Sequence, residues 1–386
     1  MFSSEIMLLI SRMILVLYIA NNMGVDNVGI YTTLMTWASI ISLFALFGGY
    51  NIIQKEGSSP VVVSIVICLS FFLSIVCSSF VGVLLFYDVV VVSVLIMASE
   101  AAGLAIKSVA KSVCYSKEKV STLAKINLYN SLFYILGVLV ILSLDSVDIK
   151  ELSIFVVIYN ISTIFLYGKV VVKNVGIVKF KIPDCISYMK RSYSYLLSSS
   201  LRNLFVQIDK IVVNVAFGHS ASGIYNLCSR FVTTAVLPAS IYIQAIESKF
   251  YKGGHEAFYL LMKSRKNVIL LSISLSVLSV PFVFFLSEFL SGLDGVFDVY
   301  LYFIPLAVSV NLAYVYMSYL NAEDNKLRII SLFFLISTVC VSVFLSAYKY
   351  PAEITHVPVI ISFFILFSLV LINARIKKQS TTKVDR

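Results

Sequence analysis

The stretch Ser192–Phe231, SYSYLLSSSLRNLFVQIDKIVVNVAFGHSASGIYNLCSRF, holds four ionisable side chains, Arg202, Asp209, Lys210 and Arg230, in segments otherwise apolar enough to be membrane helices. From Tyr193 to Phe217 is roughly 25 residues, enough at about 1.5 Å per residue to cross about 30 Å of hydrocarbon with some tilt. At about 100° per residue, Ser198, Arg202 and Asp209 share one stripe, and Ser199, Asn203, Lys210 and Asn214 form the stripe beside it. Lipid cannot satisfy such a face, so it must turn toward protein or water. The pattern predicts one wall of a polar space, with the rest of the chain as its other walls.

Composition points the same way. Of the 386 residues, 59% are hydrophobic and 13% charged, and the mean hydropathy is +0.95. Those values lie far outside soluble globular domains. Continuous apolar runs such as VVVSIVICLSFFLSIVCSSFVGVLLF predict helices rather than the alternating strands of an outer-membrane barrel. The first apolar stretch has neither a basic leader nor an A-x-A site and reads as a retained span. The six cysteines (Cys68, Cys77, Cys114, Cys185, Cys228, Cys340) show no C-x-x-C spacing, and His219, His255 and His356 are isolated. No metal, cofactor or catalytic residue is expected.

Apolar runs predict about twelve transmembrane helices: 5–22, 31–53, 60–86, 89–113, 121–143, 151–172, 193–217, 222–246, 267–287, 299–320, 328–347 and 354–374. The connections after the even spans, with the C-terminal tail, hold 24 of the 30 Lys and Arg, and those after the odd spans hold two. By the positive-inside rule both termini are cytoplasmic. The net charge of +10 is then a topology signal, and nucleic acid is not an expected partner.

The chain repeats itself. Gly24-Val-Asp-Asn-Val-Gly-Ile-Tyr31 recurs as Gly218-His-Ser-Ala-Ser-Gly-Ile-Tyr225, a shift of 194 residues from Gly29 to Gly223. Six spans per half give both copies one orientation and predict a parallel pseudo-twofold. The expected division is an N-terminal six-helix lobe, 1–175, a basic cytoplasmic linker, 176–192, and a C-terminal six-helix lobe, 193–386. Every extramembrane segment is too short for a catalytic domain, which argues against a membrane glycosyltransferase or polymerase.

Arg12 interrupts the first span and, in repeat register, falls at the level of Val206, facing the same cleft. Glu100 lies in the fourth span with Ser93 and Lys107 seven residues to either side. The tenth span presents Asn311, Tyr314, Ser318 and Asn321 on one face, and the sixth presents Asn160, Thr163 and Tyr167. These two faces fit helix packing and sugar recognition alike. Four intramembrane cations, Arg12, Arg202, Lys210 and Arg230, outnumber Glu100 and Asp209, which suits a cavity meeting an anion; the alternative is charges that only join helices. Depth below the outer turn suggests that Asp209 pairs with Arg230. Tyr50, Tyr87, Tyr167 and Tyr300, near span ends, read as interfacial anchors.

The twelve spans, the Gly-x-x-x-x-Gly-Ile-Tyr turns at Gly24 and Gly218, and the pattern Arg202-x6-Asp209-x8-Gly218-x4-Gly223-x-Tyr225 followed by Pro238 resemble the Wzx-type O-antigen flippases of the multidrug/oligosaccharidyl-lipid/polysaccharide transporter superfamily. That resemblance covers nearly the whole chain and implies a MATE-like all-α membrane fold. It implies export of a polyprenyl (undecaprenyl) diphosphate-linked oligosaccharide across the bacterial inner membrane for lipopolysaccharide or related polysaccharide biosynthesis. Arg12, Arg202, Lys210, Arg230, Asn203, Asn311 and Tyr314 would bind the substrate, with Asp209 and Glu100 as coupling or structural charges. Membrane lipids, a polysaccharide polymerase, a chain-length regulator and a coupling proton or sodium ion are the implied partners. The chain departs from the pattern by beginning almost directly in its first span, which implies a late-assigned start or a short first helix. Competing readings are a cation-coupled multidrug antiporter, which would want carboxylates in its first lobe, and an integral-membrane sugar-modifying enzyme, for which no base cluster is present.

Overall fold

In the computed structural model, which describes residues 2–86, 90–144, 148–250, 254–289, 293, 295–322, 327–349 and 354–384, the described residues form helices joined by short turns. Some side chains inside these helices, Ser198, Ser199, Arg202, Asn203 and Asn321 among them, lie outside the description. Helices α1 (Phe2–Met23) and α2 (Val25–Leu46) meet at Gly24 alone, whose φ of +86° the following helix start requires. The first helix, at 22 residues, is long enough to cross hydrocarbon.

The predicted second span, 31–53, is not one helix. It breaks at Phe47 and Gly48, with φ of 46° and 73°, and resumes as α3 (Gly49–Glu56). The reason is a close approach by a later helix: a Cβ on Gly48 would stand 2.9 Å from the Ser192 carbonyl oxygen and the Leu196 nitrogen. The Tyr188 hydroxyl donates to the carbonyls of Phe47 (3.1 Å) and Leu46 (3.3 Å), oxygens that the ended helix leaves without an intrahelical partner.

Next come α4 (Pro60–Leu85), α5 (Val90–Ser116), α6 (Val120–Leu142) and α7 (Ile149–Val175). Pro60 opens α4 at the position where a missing N–H costs nothing. Asp148 and Glu151 cap the start of α7 reciprocally, each carboxylate accepting the other's backbone N–H at 3.0 and 2.9 Å. On α4, Ser70, Ser74, Ser78 and Gly82 form a buried small-residue face four residues apart; Ser70 donates to the Ala45 carbonyl of α2 at 3.3 Å, and Gly82 meets α5, where a Cβ would lie 2.5 Å from Val94 Cγ2.

The decisive stretch lies in α8 (Ile182–Ala235), whose only non-helical backbone is at Gly218, φ 84° and ψ −177°. The predicted eighth span, 222–246, divides: α8 ends at Ala235 and α9 (Leu237–Phe250) starts afresh with Pro238 in its first turn. Then follow α10 (Gly254–Phe289), α11 (Val296–Ala322), α12 (Leu327–Lys349) and α13 (Val357–Val384). Among the described residues, nine helices are long and apolar enough to cross a membrane, and Met7–Met23 is a shorter apolar one.

The chain forms two compact units, Met1–Met23 with Ile30–Asn203, and Gly24–Gly29 with Leu204–Arg386. In the first, α5 packs on α3, α4 and α7 around Tyr167, Tyr188, Val109 and Val113, all fully buried. In the second, α11 is central, touching α9, α10 and α13. Gly29 and Gly223, both in the second unit, sit where another backbone approaches closely. A Cβ on Gly29 would lie 2.0 Å from the His219 carbonyl oxygen, and one on Gly223 would lie 2.2 Å from that of Val25.

A polar cavity in the second unit

α8 presents Asp209 and Lys210 one residue apart, about 100° around the helix, and α11 presents Asn311 and Tyr314, so the two predicted polar faces meet. With Ser229, Thr233 and Ser240, and an aliphatic wall that includes Val206, Val310 and Ile365, they line a cavity of about 190 Å³. Asp209 Oδ2 accepts a hydrogen bond from the Tyr225 hydroxyl at 2.9 Å, and Oδ1 is buried with no hydrogen-bond partner among the described residues. Depth suggests Arg230 as the partner of Asp209; the group that donates here is Tyr225, five residues earlier on the same helix and backed by Phe303 at 4.7 Å between ring centroids. Lys210 Nζ donates to Gln207 Oε1 at 3.0 Å. Asn311 Nδ2 donates to Ser272 on α10 at 3.0 Å, so this amide both packs helices and faces the cavity. Arg230 is half-buried beside the cavity residue Ser229 and feels the like charge of Lys210.

The first unit holds the other predicted charges. Arg12 Nη2 donates to Glu100 Oε1 at 3.1 Å; the arginine side chain is 36% exposed and the glutamate side chain 6%. The guanidinium also lies 5.8 Å from the Tyr134 ring centre, a cation–π distance. Behind it runs a chain of contacts: Tyr134 meets Tyr159 edge-on, the Asn130 amide donates to the Tyr159 hydroxyl at 2.7 Å, and Thr163 donates to Asn130 Oδ1 at 2.8 Å. Thus Arg12 and Glu100 belong together in one unit, while Asp209, Lys210, Asn311 and Tyr314 share a cavity in the other. Arg202 and Asn203 lie on α8, their side chains outside the described residues.

Several readings change. On the predicted sixth-span face, Asn160 donates to Ser99 at 3.4 Å, Thr163 to Asn130, and Tyr167 to Asn127 at 2.6 Å, all between helices. Tyr167 and Tyr300 are not interfacial anchors: both are fully buried, the latter hydrogen-bonded to Ser279. Sequence reasoning missed Tyr225, which the repeat motif presented as a turn residue, and Asn127 and Asn130, whose spacing of three on α6 already marks one polar face.

Neither a family model nor a curated protein sequence matches this chain. Solved structures do. The lipid II flippase MurJ in an inward closed conformation superposes with a TM-score of 0.72 at 14% identity, covering 97% of this chain and 86% of MurJ. An inward-facing multidrug resistance MATE family transporter of the MOP superfamily gives 0.70 at 10% identity, over 97% of this chain and 96% of that one. A mutant of the Vibrio cholerae MATE transporter VcmN gives 0.63 at 12%, over 97% and 95%. The chain therefore has the MATE-like polytopic membrane fold, and identities this low carry the fold alone.

Proposed function

We propose that the chain is a flippase that carries a polyprenyl diphosphate-linked oligosaccharide, a repeat unit of O-antigen or a related surface polysaccharide, across the bacterial inner membrane by alternating access. The observation that carries this reading is the Arg12–Glu100 pair. A cation antiporter would want a carboxylate in its first lobe free to meet a cation, whereas Glu100, deep in the first unit, is already held by a guanidinium. Arginine has five N–H donors, so Arg12 retains capacity for a phosphate beyond its bond to Glu100. Arg202, Lys210 and Arg230 add positive charge that a diphosphate would balance, Asn203, Asn311 and Tyr314 offer hydrogen bonds to sugar, and Asp209 is the group for a coupling proton or sodium ion. The likeness to a protein named as a lipid II flippase supports a lipid-linked substrate. On this reading the lobes 1–175 and 193–386 work about the linker 176–192.

Deleting the gene tests it. Loss of surface polysaccharide with undecaprenyl-linked intermediates retained inside is the expected result, restored by the wild-type gene. Unaltered glycan with raised sensitivity to cationic drugs would replace this reading with the antiporter.

A further inference from the structure

Residues 182–193 open α8, and their inner side is fixed. Tyr188 and Ser192 are fully buried, Tyr188 bonded to the α2 end and Ser192 donating to the Tyr188 carbonyl at 2.8 Å. Burial pushes the Tyr188 hydroxyl pKa up, so it stays a donor. The outer side is different. Ile182, Ile186, Met189 and Tyr193 recur at spacings of four, three and four, within about 60° on the helix, and all are exposed, Ile182 by 78%. Scattered exposed apolar residues need no explanation, but an ordered stripe does.

Position says what lies beside that stripe. The predicted seventh span begins at Tyr193, and Ile182 to Ser192 precede it as about 16 Å of helix. Turns that lead directly into a predicted span lie against the headgroup layer, where the leaflet is the neighbour within reach. Charge says which lipid. Lys179, Lys181 and Lys190 are exposed around the stripe, and Lys169 and Lys173 are exposed on the last turns of α7. Asp184 is the one acid between 176 and 193, and it accepts the Lys181 backbone N–H at 2.9 Å. An apolar stripe edged by lysines suits the boundary between acyl chains and anionic headgroups.

We infer that residues 179–193 form a docking surface for anionic phospholipid headgroups, the lysines meeting the phosphates and the stripe entering the acyl boundary.

The test uses the full chain, whose single tryptophan, Trp37, is replaced by Phe. Met189→Trp, or Tyr193→Trp in a parallel variant, then reports from the stripe in phosphatidylcholine bilayers containing a small equal share of either brominated phosphatidylglycerol or brominated phosphatidylcholine. Quenching by the glycerol lipid should exceed that by the choline lipid several-fold. Lys179→Gln, Lys181→Gln and Lys190→Gln should each reduce that preference by up to about fivefold, equivalent to ~1 kcal/mol per charge, without changing the elution of the folded protein. Equal quenching by both lipids would overturn the inference, as would a reporter that neither lipid quenches and an aqueous quencher reaches.

Discussion

Glu100 is buried and ion-paired to Arg12. Arg12→Ala leaves the glutamate without its partner and should lower the yield of folded protein, by less than the ~3–5 kcal/mol of a fully buried pair because the guanidinium is 36% exposed. Adding Glu100→Gln should restore the yield, because an amide needs no counter-charge. Export should stay low in the double variant if Arg12 also meets the substrate; export at the wild-type level would reduce Arg12 to a structural residue. Tyr225→Phe is the corresponding change in the second unit. It leaves Asp209 without its hydrogen bond at Oδ2, at a cost of about 1–3 kcal/mol, read as a lowered melting temperature of the purified protein. Asp209→Asn in the same background should recover part of that loss. Neither partner was legible in the sequence: Arg12 and Glu100 are 88 residues apart on helices whose pairing no periodicity encodes, and Tyr225 sits in a motif that reads as a turn.

Helix lengths were legible because the hydrocarbon layer imposes them, but the predicted spans 31–53 and 222–246 each fall on two helices, α2 with α3 and α8 with α9. Helix breaks were less so. The break at Phe47-Gly48 depends on α8 crossing there, and a Gly-Gly pair inside an apolar run gives no hint of a crossing 140 residues away in sequence, a separation of about that between Phe47 and Tyr188. The buried serine face of α4 was visible as a four-residue spacing, but polar enough letters in an apolar run are easily read as filler. The glycines separate two physical demands that sequence alone cannot rank. Gly24 and Gly218 need positive φ with open space around them, so Ala there should cost about 1–3 kcal/mol of backbone strain. Gly29 and Gly223 are helical, but a Cβ on either would run into a backbone carbonyl, that of His219 or Val25, and no side-chain rotation can relieve such a clash. Gly29→Ala and Gly223→Ala should therefore each reduce folded protein well beyond Gly24→Ala, measured by fluorescence-detected size exclusion.

At the scale of the molecule, the split of basic residues predicts an orientation. In a cysteine-free background, Ser143→Cys, at the C-terminal end of α6, should react with a membrane-impermeant thiol reagent added to intact cells. Cysteine at Lys119 or Lys181 should react only after permeabilisation; labelling of the latter pair in intact cells would invert the topology. The mutual contact of Gly29 with residue 219 and of Gly223 with residue 25 has a consequence of its own. Under the 194-residue shift, 25 becomes 219 and 29 becomes 223, so the two contacts are a single contact made twice. Such a turn is self-complementary, as patches are across the axis of a twofold dimer. A chain carrying only one copy could close it only against a second molecule of itself.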